Sequence, residues 1–365
     1  MSIDQHNPKP FYKQVGEDII NQINSGALKV GDKLQTQNEL VKHYDVSLIT
    51  IKRALSDLIS EGILYARAGK GTFVAKQPQK IDLSKHLTVA YVLKDLNNPF
   101  YQSMVSSMER YLSKNNCNLM LYSSDNHMAN EERKIRYFMD MGVSGLILGS
   151  MFHSHYTNTM IQQLDEQRFP YVMVSYTEDD HIPFVGADQE AGGYMAAQHL
   201  LEAGYSRVGI VTGEEGNLVG EARKKGFVRA LEEQDVPLDL EHQFQIKVGA
   251  KRDDHKSGYE VGQAFCKLKN PPQAMFIYND LSALGFMEAI SESKLSVPKD
   301  VAIIGFDDIP MGRASSVPLT TIHQPTDKIA KLAVENLIGR INGQPSVTRK
   351  LIKPKLVVRK SCCNN

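Results

Sequence analysis

An excess of charge of either sign is missing from this 365-residue chain: 42 Lys and Arg stand against 42 Asp and Glu. A net charge of zero excludes a polycation, so any grip on nucleic acid has to come from a local patch. Long apolar runs are missing as well, and none is long enough to span a bilayer. The opening "MSIDQHNPKPFYKQ" is polar throughout and offers no h-region for export. Cysteine is scarce: Cys117 and Cys266 sit in expected core segments, and Cys362 and Cys363 are adjacent at the tail. No pair has metal-ligand spacing, so the expectation is a reduced, cytoplasmic setting with no metal, no cofactor and no membrane partner. Catalytic signatures are absent too, with neither GxSxG nor a GxGxxG between strand and helix. His153 and His155 lack a neighbouring cysteine or carboxylate and read as a solvated loop. "DNHMANEERK" (125–134) reads as an exposed helix start, and Asp179-Asp180-His181 as a turn.

What the chain does contain is organised in blocks. Residues 46–85 carry seven Lys or Arg against three acids, a local basic excess in a neutral chain. Within residues 1–75, Val15, Ile19, Ile20 and Ile23 share one helix face, and Ser25-Gly26 ends it. Thr36 and Glu39 have the spacing of a capping box at a second helix start. A third helix follows a break at Asp45-Val46, with Ser47 as cap, Ile51, Leu55, Leu58 and Ile59 as buried stripe, and Gly62 as stop. "ILYA" and "TFVA" then flank a glycine turn and read as a hairpin. Residues 76–86 are polar and aperiodic, as a linker would be.

The turn itself, "RAGKGTFV" (67–74), has the glycine, lysine and threonine of a phosphate-binding loop. A nucleotide loop, however, requires GxxxxGK[ST] between a strand and a helix, and here the spacer is missing and a strand follows. A plain surface hairpin is one alternative. The other is the wing of a winged helix, whose third helix enters the major groove while the wing touches the backbone or minor groove.

Residues 9–75 resemble the DNA-binding domain of GntR-family regulators. The resemblance rests on Gly31–Leu34, "NEL" at 38–40, "VS" at 46–47, "TIKRAL" at 50–55, "EGIL" at 61–64 and "GKGTFV" at 69–74. It implies DNA contacts from Thr36, Asn38, Ser47, Leu48, Ile49, Thr50, Lys52, Arg53, Arg67, Gly69 and Lys70. Lys42, Lys52, Arg53, Arg67 and Lys70 are suited to phosphates, which supply affinity with little sequence information. Family members usually carry arginine where this chain has Asn38, Leu48 and Lys52. Arginine reads guanine edges bidentately, so the departure points to an A·T-richer site with Leu48 and Ile49 on thymine methyls and Asn38 on adenine. The alternative is that Leu48 packs against the second helix.

From Leu87 onward, short Val/Ile/Leu runs alternate with helical segments: 87–93, 117–123, 144–150, 171–176, 207–213, 273–280 and 300–307. Such runs signal parallel sheets covered on both faces. The expected fold class is α/β: an N-terminal winged helix, then a two-lobed, doubly wound parallel-sheet domain over 87–365. The lobes are expected at 87–184 plus 316–345 and at 185–315 plus 346–360. Ligands in such sheets bind beyond the carboxyl ends of strands, where "NNPFY" (97–101), Ser175-Tyr176, "YND" (278–280) and "FDD" (306–308) fall. Aromatic faces beside Asp, Asn and Arg suit a polyhydroxylated ligand, although strand-end Asn and Asp are also helix caps.

Residues 87–360 resemble the effector domain of LacI/GalR regulators and the related periplasmic sugar-binding proteins. "NNPFY", "GLILGS", "VGADQEAGGYMAAQHLLEAGYSRVGIVTG", "NDLSALGFMEAI", "VPKDVAIIGFDD" and "LTTIHQP" carry the likeness. Carried over residue by residue, the effector contacts are Asn98, Phe100, Tyr101, Arg223, Asn279, Asp307 and Gln324. Ser175 and Tyr176 stand where relatives often have Asp-Arg, and "KVGAKRDDHKSGY" offers no counterpart to an aromatic those relatives often use. "GEEGNLVGEARKKG" keeps a phosphate site at a helix start open, hence a sugar or a sugar phosphate as effector. The combination resembles arabinose-responsive repressors and implies a homodimer on double-stranded operator DNA. The rival readings are a cytoplasmic sugar- or nucleotide-acting enzyme, which leaves residues 1–75 without a role, a transport-type binding protein, and a regulator with a ligand-free sensor.

Overall fold

Three helices and a hairpin close the first unit, residues 1–82, around the apolar stripe of α1 (Phe11–Asn24). The computed structural model describes residues 10–60, 62–67, 69–75, 87–125, 128–149, 157–174, 176–246, 253–345 and 347–362. The linker at 76–86, Ser175, the His153/His155 pair and residues 247–252 lie outside the described residues. Val15, Ile19 and Ile23, four residues apart, are at most 1% exposed, as the 3.6-residue period demands. α2 (Gln37–Tyr44) starts on the expected capping box: Glu39 N donates to Thr36 Oγ1 at 3.3 Å, and Thr36 N donates to Glu39 Oε2 at 2.7 Å. Tyr44 then anchors α2 to α1 by donating its hydroxyl to Asp18 at 2.7 Å.

In α3 (Leu48–Ser60) the buried face is Ile51, Ala54, Leu55 and Leu58. Ile59 does not belong to it and is 36% exposed. Eight residues from Ile51 it lies about 80° around the helix at 100° per residue, and Ala54 holds the place in the stripe. β1 (Leu64–Arg67) and β2 (Gly71–Val74) pair antiparallel with Leu64 opposite Val74. Lys33 bridges to Phe73, and Leu34 N donates to Thr72 O, so the wing gains a third short edge that sequence periodicity does not show.

The second unit, residues 83–365, contains two six-stranded sheets. The first takes β3 (Thr88–Leu93), β4 (Asn118–Ser123), β5 (Gly145–Gly149), β6 (Tyr171–Met173) and β7 (Phe184–Ala187). α4 (Pro99–Lys114), α5 (Met128–Asp140) and α6 (Thr157–Glu166) connect them. The chain then crosses over through α7 (Gln189–Glu202) into β8 (Val208–Thr212), α8 (Leu218–Glu232), β9 (Gln243–Gln245), α9 (Asp254–Phe265), β10 (Ala274–Ile277), α10 (Asp280–Ser291), β11 (Ala302–Asp307), α11 (Pro310–Ala314) and β12 (Thr320–His323). It returns through α12 (Thr326–Ile341) to β13 (Arg349–Ile352) and crosses a third time to β14 (Lys355–Val357). The strand orders are β13-β7-β6-β5-β3-β4 and β14-β12-β11-β10-β8-β9. Both follow one doubly wound scheme, and every neighbouring pair is parallel except β12 with β14.

The lobe boundaries differ from those expected. β7, through Ala187, and β13 belong to the first sheet, whereas β12 belongs to the second. These strands are four residues long and each includes Thr, Gly, Arg or Lys, so backbone pairing places them and hydropathy does not. Each sheet has apolar cover on both faces. Val89, Tyr91 and Leu93 face one cluster while Ala90 and Val92 face another, and Ile304 and Ile303 divide likewise in the second sheet.

Two helix pairs flanking the second sheet touch backbone to backbone. A Cβ on Gly193 would lie 1.9 Å from Arg223 O, and one on Gly226 would lie 1.9 Å from Glu190 O, closing α7 on α8. Gly258 against Ser282 O and Gly285 against His255 O close α9 on α10 in the same way, at 2.0 and 1.9 Å. Real Cβ atoms do not occupy such spaces, so Gly226→Ala forces the pair apart. The expected cost is about 1–3 kcal/mol, lowering the second unit's thermal midpoint by about 2–10 °C. An unchanged midpoint in calorimetry would contradict the contact.

Candidate functional site

The winged unit presents an exposed face on α3 and the hairpin. Ile49 is 79% and Leu48 39% exposed, and neither belongs to the unit's apolar core. Asn38, Lys42, Lys52, Arg53, Arg67 and Lys70 are exposed. The hydroxyls of Thr36, Ser47 and Thr50 are engaged locally. Thr36 serves the capping box, while Ser47 Oγ accepts from Thr50 N at 3.2 Å and lies 2.8 Å from Thr50 Oγ1. These three therefore fix where α2 and α3 begin, which aims the side chains beside them. Arg53 stacks its guanidinium 4.0 Å from the Tyr12 ring centroid, and Arg67 lies over Tyr65 and Phe73. Stacking pre-orders both guanidinium groups, which lowers the entropy they would lose on forming a further contact. Gly69 and Gly71 have φ of +69° and +111°, values that bring the chain back within the two-strand turn.

The second unit holds a cleft of about 700 Å³, counting the space at its open mouth. Strand ends build its floor. Asn98 caps α4, with Oδ1 accepting from Phe100 N at 2.9 Å. Its Nδ2 is the group that can donate to a ligand, with Phe100 and Tyr101 beside it on the lining. Asn279 caps α10 through Ser282 N and donates Nδ2 to Asp254 Oδ2 at 2.7 Å. The cap and ligand readings of these asparagines are thus compatible: one oxygen caps while the amide nitrogen points elsewhere.

Arg223 and Asp307 occupy the centre. Arg223, 5% exposed, donates Nε to Gln189 Oε1 at 2.9 Å and Nη1 to the Tyr278 carbonyl, and Nη2 lies 3.7 Å from Asp307 Oδ1. Its guanidinium carbon sits 3.6 Å from the Phe306 ring centroid. Gln324 donates Nε2 to Asp307 Oδ1 at 2.7 Å and accepts from Gln189 Nε2 at 3.0 Å, completing a polar ring. Asp307 and Asp308 have φ of +122° and +61°. Such conformations cost about 1–3 kcal/mol each and persist where the surroundings impose them.

Burial pushes the Asp307 carboxyl up to about 7 against the pull of Arg223, with the nearby Asp280 carboxylate adding to the rise. Burial also raises Asp280 to about 6, opposed by the Thr321 hydroxyl and Ile309 N–H that donate to it. Between the ordinary carboxyl range and about 6 for Asp280 or about 7 for Asp307, each group therefore holds a proton in the folded unit that the unfolded chain has released. Their contribution to stability is full below the unfolded value and is lost as pH rises through about 6 and 7.

Of the expected effector residues, Asn98, Phe100, Tyr101, Arg223, Asn279, Asp307 and Gln324 line the cleft. Tyr176 does not: its ring packs edge-on against Phe184 at 6.3 Å, and Val174 reaches the cleft from that strand. Ser175 lies outside the described residues. Lys94, Asp95, Gln189 and Asp254 line the cleft without having been singled out. Lys94 and Asp95 directly follow β3, where the strand-end rule reaches them. Gln189 and Asp254 are the first residues of α7 and α9, and nothing in their local sequence marks them. Among the described residues no group of three His, Cys, Asp or Glu could hold a metal, and no helix is long and apolar enough to cross a membrane.

Comparison with known proteins gives the same division. Residues 11–74 match the family model described as bacterial regulatory proteins, gntR family, and residues 197–362 match that of the periplasmic binding protein-like domain. The arabinose metabolism transcriptional repressor of Geobacillus stearothermophilus is 31% identical over 363 residues, covering 96% of this chain and 97% of that protein. The second unit is similar to a LacI family transcriptional regulator from Enterococcus faecium solved with bound ribose. The match has 25% identity and a TM-score of 0.64, and covers 75% of this chain and 98% of that one. A periplasmic binding protein/LacI transcriptional regulator from Alkaliphilus metalliredigens, complexed with D-xylulofuranose, gives 26% identity and a TM-score of 0.65 over 76% and 99% of the two chains. With a relative matched nearly end to end across both units, the chain belongs to the GntR family of bacterial regulatory proteins, among members carrying a LacI-type periplasmic-binding-protein-like domain, and is a DNA-binding transcriptional regulator.

Proposed function

We propose that the protein is a cytoplasmic, sugar-responsive repressor that binds a pseudo-palindromic operator as a homodimer and carries out no catalysis. The observation that carries the sugar reading is the ring of Arg223, Gln189, Gln324 and Asp307 on the floor of a cleft that also offers aromatic faces. Hydroxyl groups suit the acceptor and amide atoms of that floor, and C–H faces suit Phe100 and Tyr101. Ribose and D-xylulofuranose in similar domains, and the arabinose repressor among the relatives, support a free sugar of pentose size.

On the DNA side, Lys42, Lys52, Arg53, Arg67 and Lys70 neutralise phosphates, while Asn38, Leu48 and Ile49 favour an A·T-richer site than arginines would select. Half-sites one helical turn apart match a two-fold dimer. Ligand alters DNA affinity by no more than its own difference in affinity for the two states of the regulator.

The deciding experiment is anisotropy titration of the full chain on the promoter DNA beside its own gene, with and without a panel of pentoses and hexoses. Salt-dependent binding relieved by one sugar is expected, and no DNA binding at any salt would sink the reading. Asp307→Ala should abolish the sugar response while sparing DNA binding. Lys70→Glu should weaken binding to all sequences about equally; a changed base preference would make the wing a reader instead of a clamp. Sedimentation should give a dimer, and a monomer on single half-sites would refute the palindrome.

The pH dependence has a definite sign. Ligand hydroxyls donate to the ionised Asp307, whose pKa is raised to about 7. Sugar affinity should be full above pH 7 and fall by roughly tenfold per unit on the acid side, with proton release on binding near neutrality. A Kd flat from pH 8 to about pH 5.5 would contradict the role given to Asp307.

A further inference from the structure

Four tyrosines are buried among the described residues, and three of them have a partner for the hydroxyl. Tyr44 donates to Asp18 at 2.7 Å, and Tyr171 donates to Asp165 at 3.0 Å. Tyr278 Oη accepts from Asn217 Nδ2 at 2.8 Å. Tyr91, 1% exposed, has no hydrogen-bond partner among the described residues. Burial alone pushes its phenol above the ordinary value, with no hydrogen bond or neighbouring charge contributing. A buried tyrosine hydroxyl usually finds a partner, and leaving it without one is costly.

The direction of the ring shows where a partner would come from. In the register of β3 and β5, Tyr91 stands opposite Ile147, and Gly149 stands opposite Leu93. The Tyr91 ring nevertheless reaches Gly149, where a Cβ would lie 2.6 Å from Cε2 and 2.7 Å from Oη. The side chain therefore leans along its strand toward the carboxyl end of the sheet, where ligands bind. Tyr91 and Gly149 both line the cleft, with Met104 and Val174 beside them on the lining. The side chains of Met104 and Val174 bring no strong donor or acceptor, so the phenol is the polar point of an apolar corner. A trapped water there would need about two to four polar partners, which those side chains do not supply. A ligand hydroxyl both donates and accepts, as the phenol does, and arrives already held by the rest of the cleft.

We propose that Tyr91 is an effector-binding residue whose hydroxyl pairs with one hydroxyl group of the ligand, and that Gly149 keeps open the space the phenol occupies. The inference rests on the sugar-responsive reading of this cleft. It assigns Tyr91 the recognition of a single hydroxyl from the side of the first sheet, across from Asp307 at the end of β11 in the second.

Isothermal titration of the full-length chain and of Tyr91→Phe tests it, with L-arabinose, D-ribose, D-xylose and D-galactose as probes. The monodeoxy analogues of the tightest-binding sugar follow. Tyr91→Phe should bind that sugar about five- to thirtyfold more weakly. Its promoter affinity without sugar should be unchanged, and its ligand-free melting temperature equal or higher, since phenylalanine gives up no bond there. One monodeoxy analogue should bind the unsubstituted protein more weakly by a similar factor and lose nothing further in Tyr91→Phe, because directly paired groups are not additive. Equal losses in both proteins for every analogue would mean that the hydroxyl serves a water or the fold, and would overturn the proposal. Unchanged sugar affinity in Tyr91→Phe overturns it too, as does a lowered ligand-free melting temperature; in all three cases the sugar reading stands. Binding of no probe by the unsubstituted protein overturns the sugar reading and this inference with it.

Discussion

Burying a guanidinium beside a carboxylate is costly, and the architecture of the second unit follows from how that cost is met. Arg223 and Asp307 lie 3.7 Å apart, too far for a tight bond, so their mutual attraction alone does not offset the loss of water. The remainder comes from neutral groups. Gln189, the Tyr278 carbonyl and the Phe306 face serve the cation, and Gln324 serves the anion. That division ties the cation through Nε and Nη1 to neutral acceptors, and leaves the anion with one hydrogen bond from Gln324 and a pKa near 7. In the proposed sugar-bound state, a ligand bringing hydroxyl donors would complete the coordination of Asp307 and relieve an electrostatic deficit that folding has left in place.

Holding Arg223 there requires its helix to approach closely. The Arg223 carbonyl rests against the Cα of Gly193, and Gly226 of the next turn rests against the carbonyl of Glu190. The same contact that seats Arg223 also seats Gln189, one residue before Glu190, at the mouth of the first crossover. Helix packing and site geometry are therefore one constraint. A methyl group at the interface would shift the guanidinium and its amide partner together.

This is also why the site was only partly legible in the sequence. The strand-end rule leads to Asn98, Asn279 and Asp307, because an apolar strand followed by polar residues is a local pattern. The wing and the capping box at Thr36 and Glu39 are local in the same sense, and so is the order of strands and helices. Gln189 and Asp254 are defined by what faces them from distant segments, and in the sequence they are the ordinary residues after a capping Asp. Tyr176 shows the opposite failure. It stands past a strand end as a ligand-binding aromatic would, yet the nearby Phe184 ring offers it an apolar contact that wins. The short strands β7, β12 and β13 escaped hydropathy because four residues with Thr, Gly or Arg among them carry too little pattern. They also set the true lobe boundaries.

The three crossovers sharpen how a ligand can be sensed. Gln189 opens the helix after the first crossover and Gln324 lies in the second, and their amides bond to each other at 3.0 Å. Each also holds one member of the buried ion pair. Asp307 is thus tied, through one hydrogen bond to Gln324, to the segments that join the two sheets. A bond of this kind is worth about 1 kcal/mol, or up to about 3 when one partner is charged. Under the proposed sugar response, the coupling available to move the sheets would be of that order. That magnitude is enough for a five- to hundredfold change in operator affinity, and it requires no contact between ligand and reader.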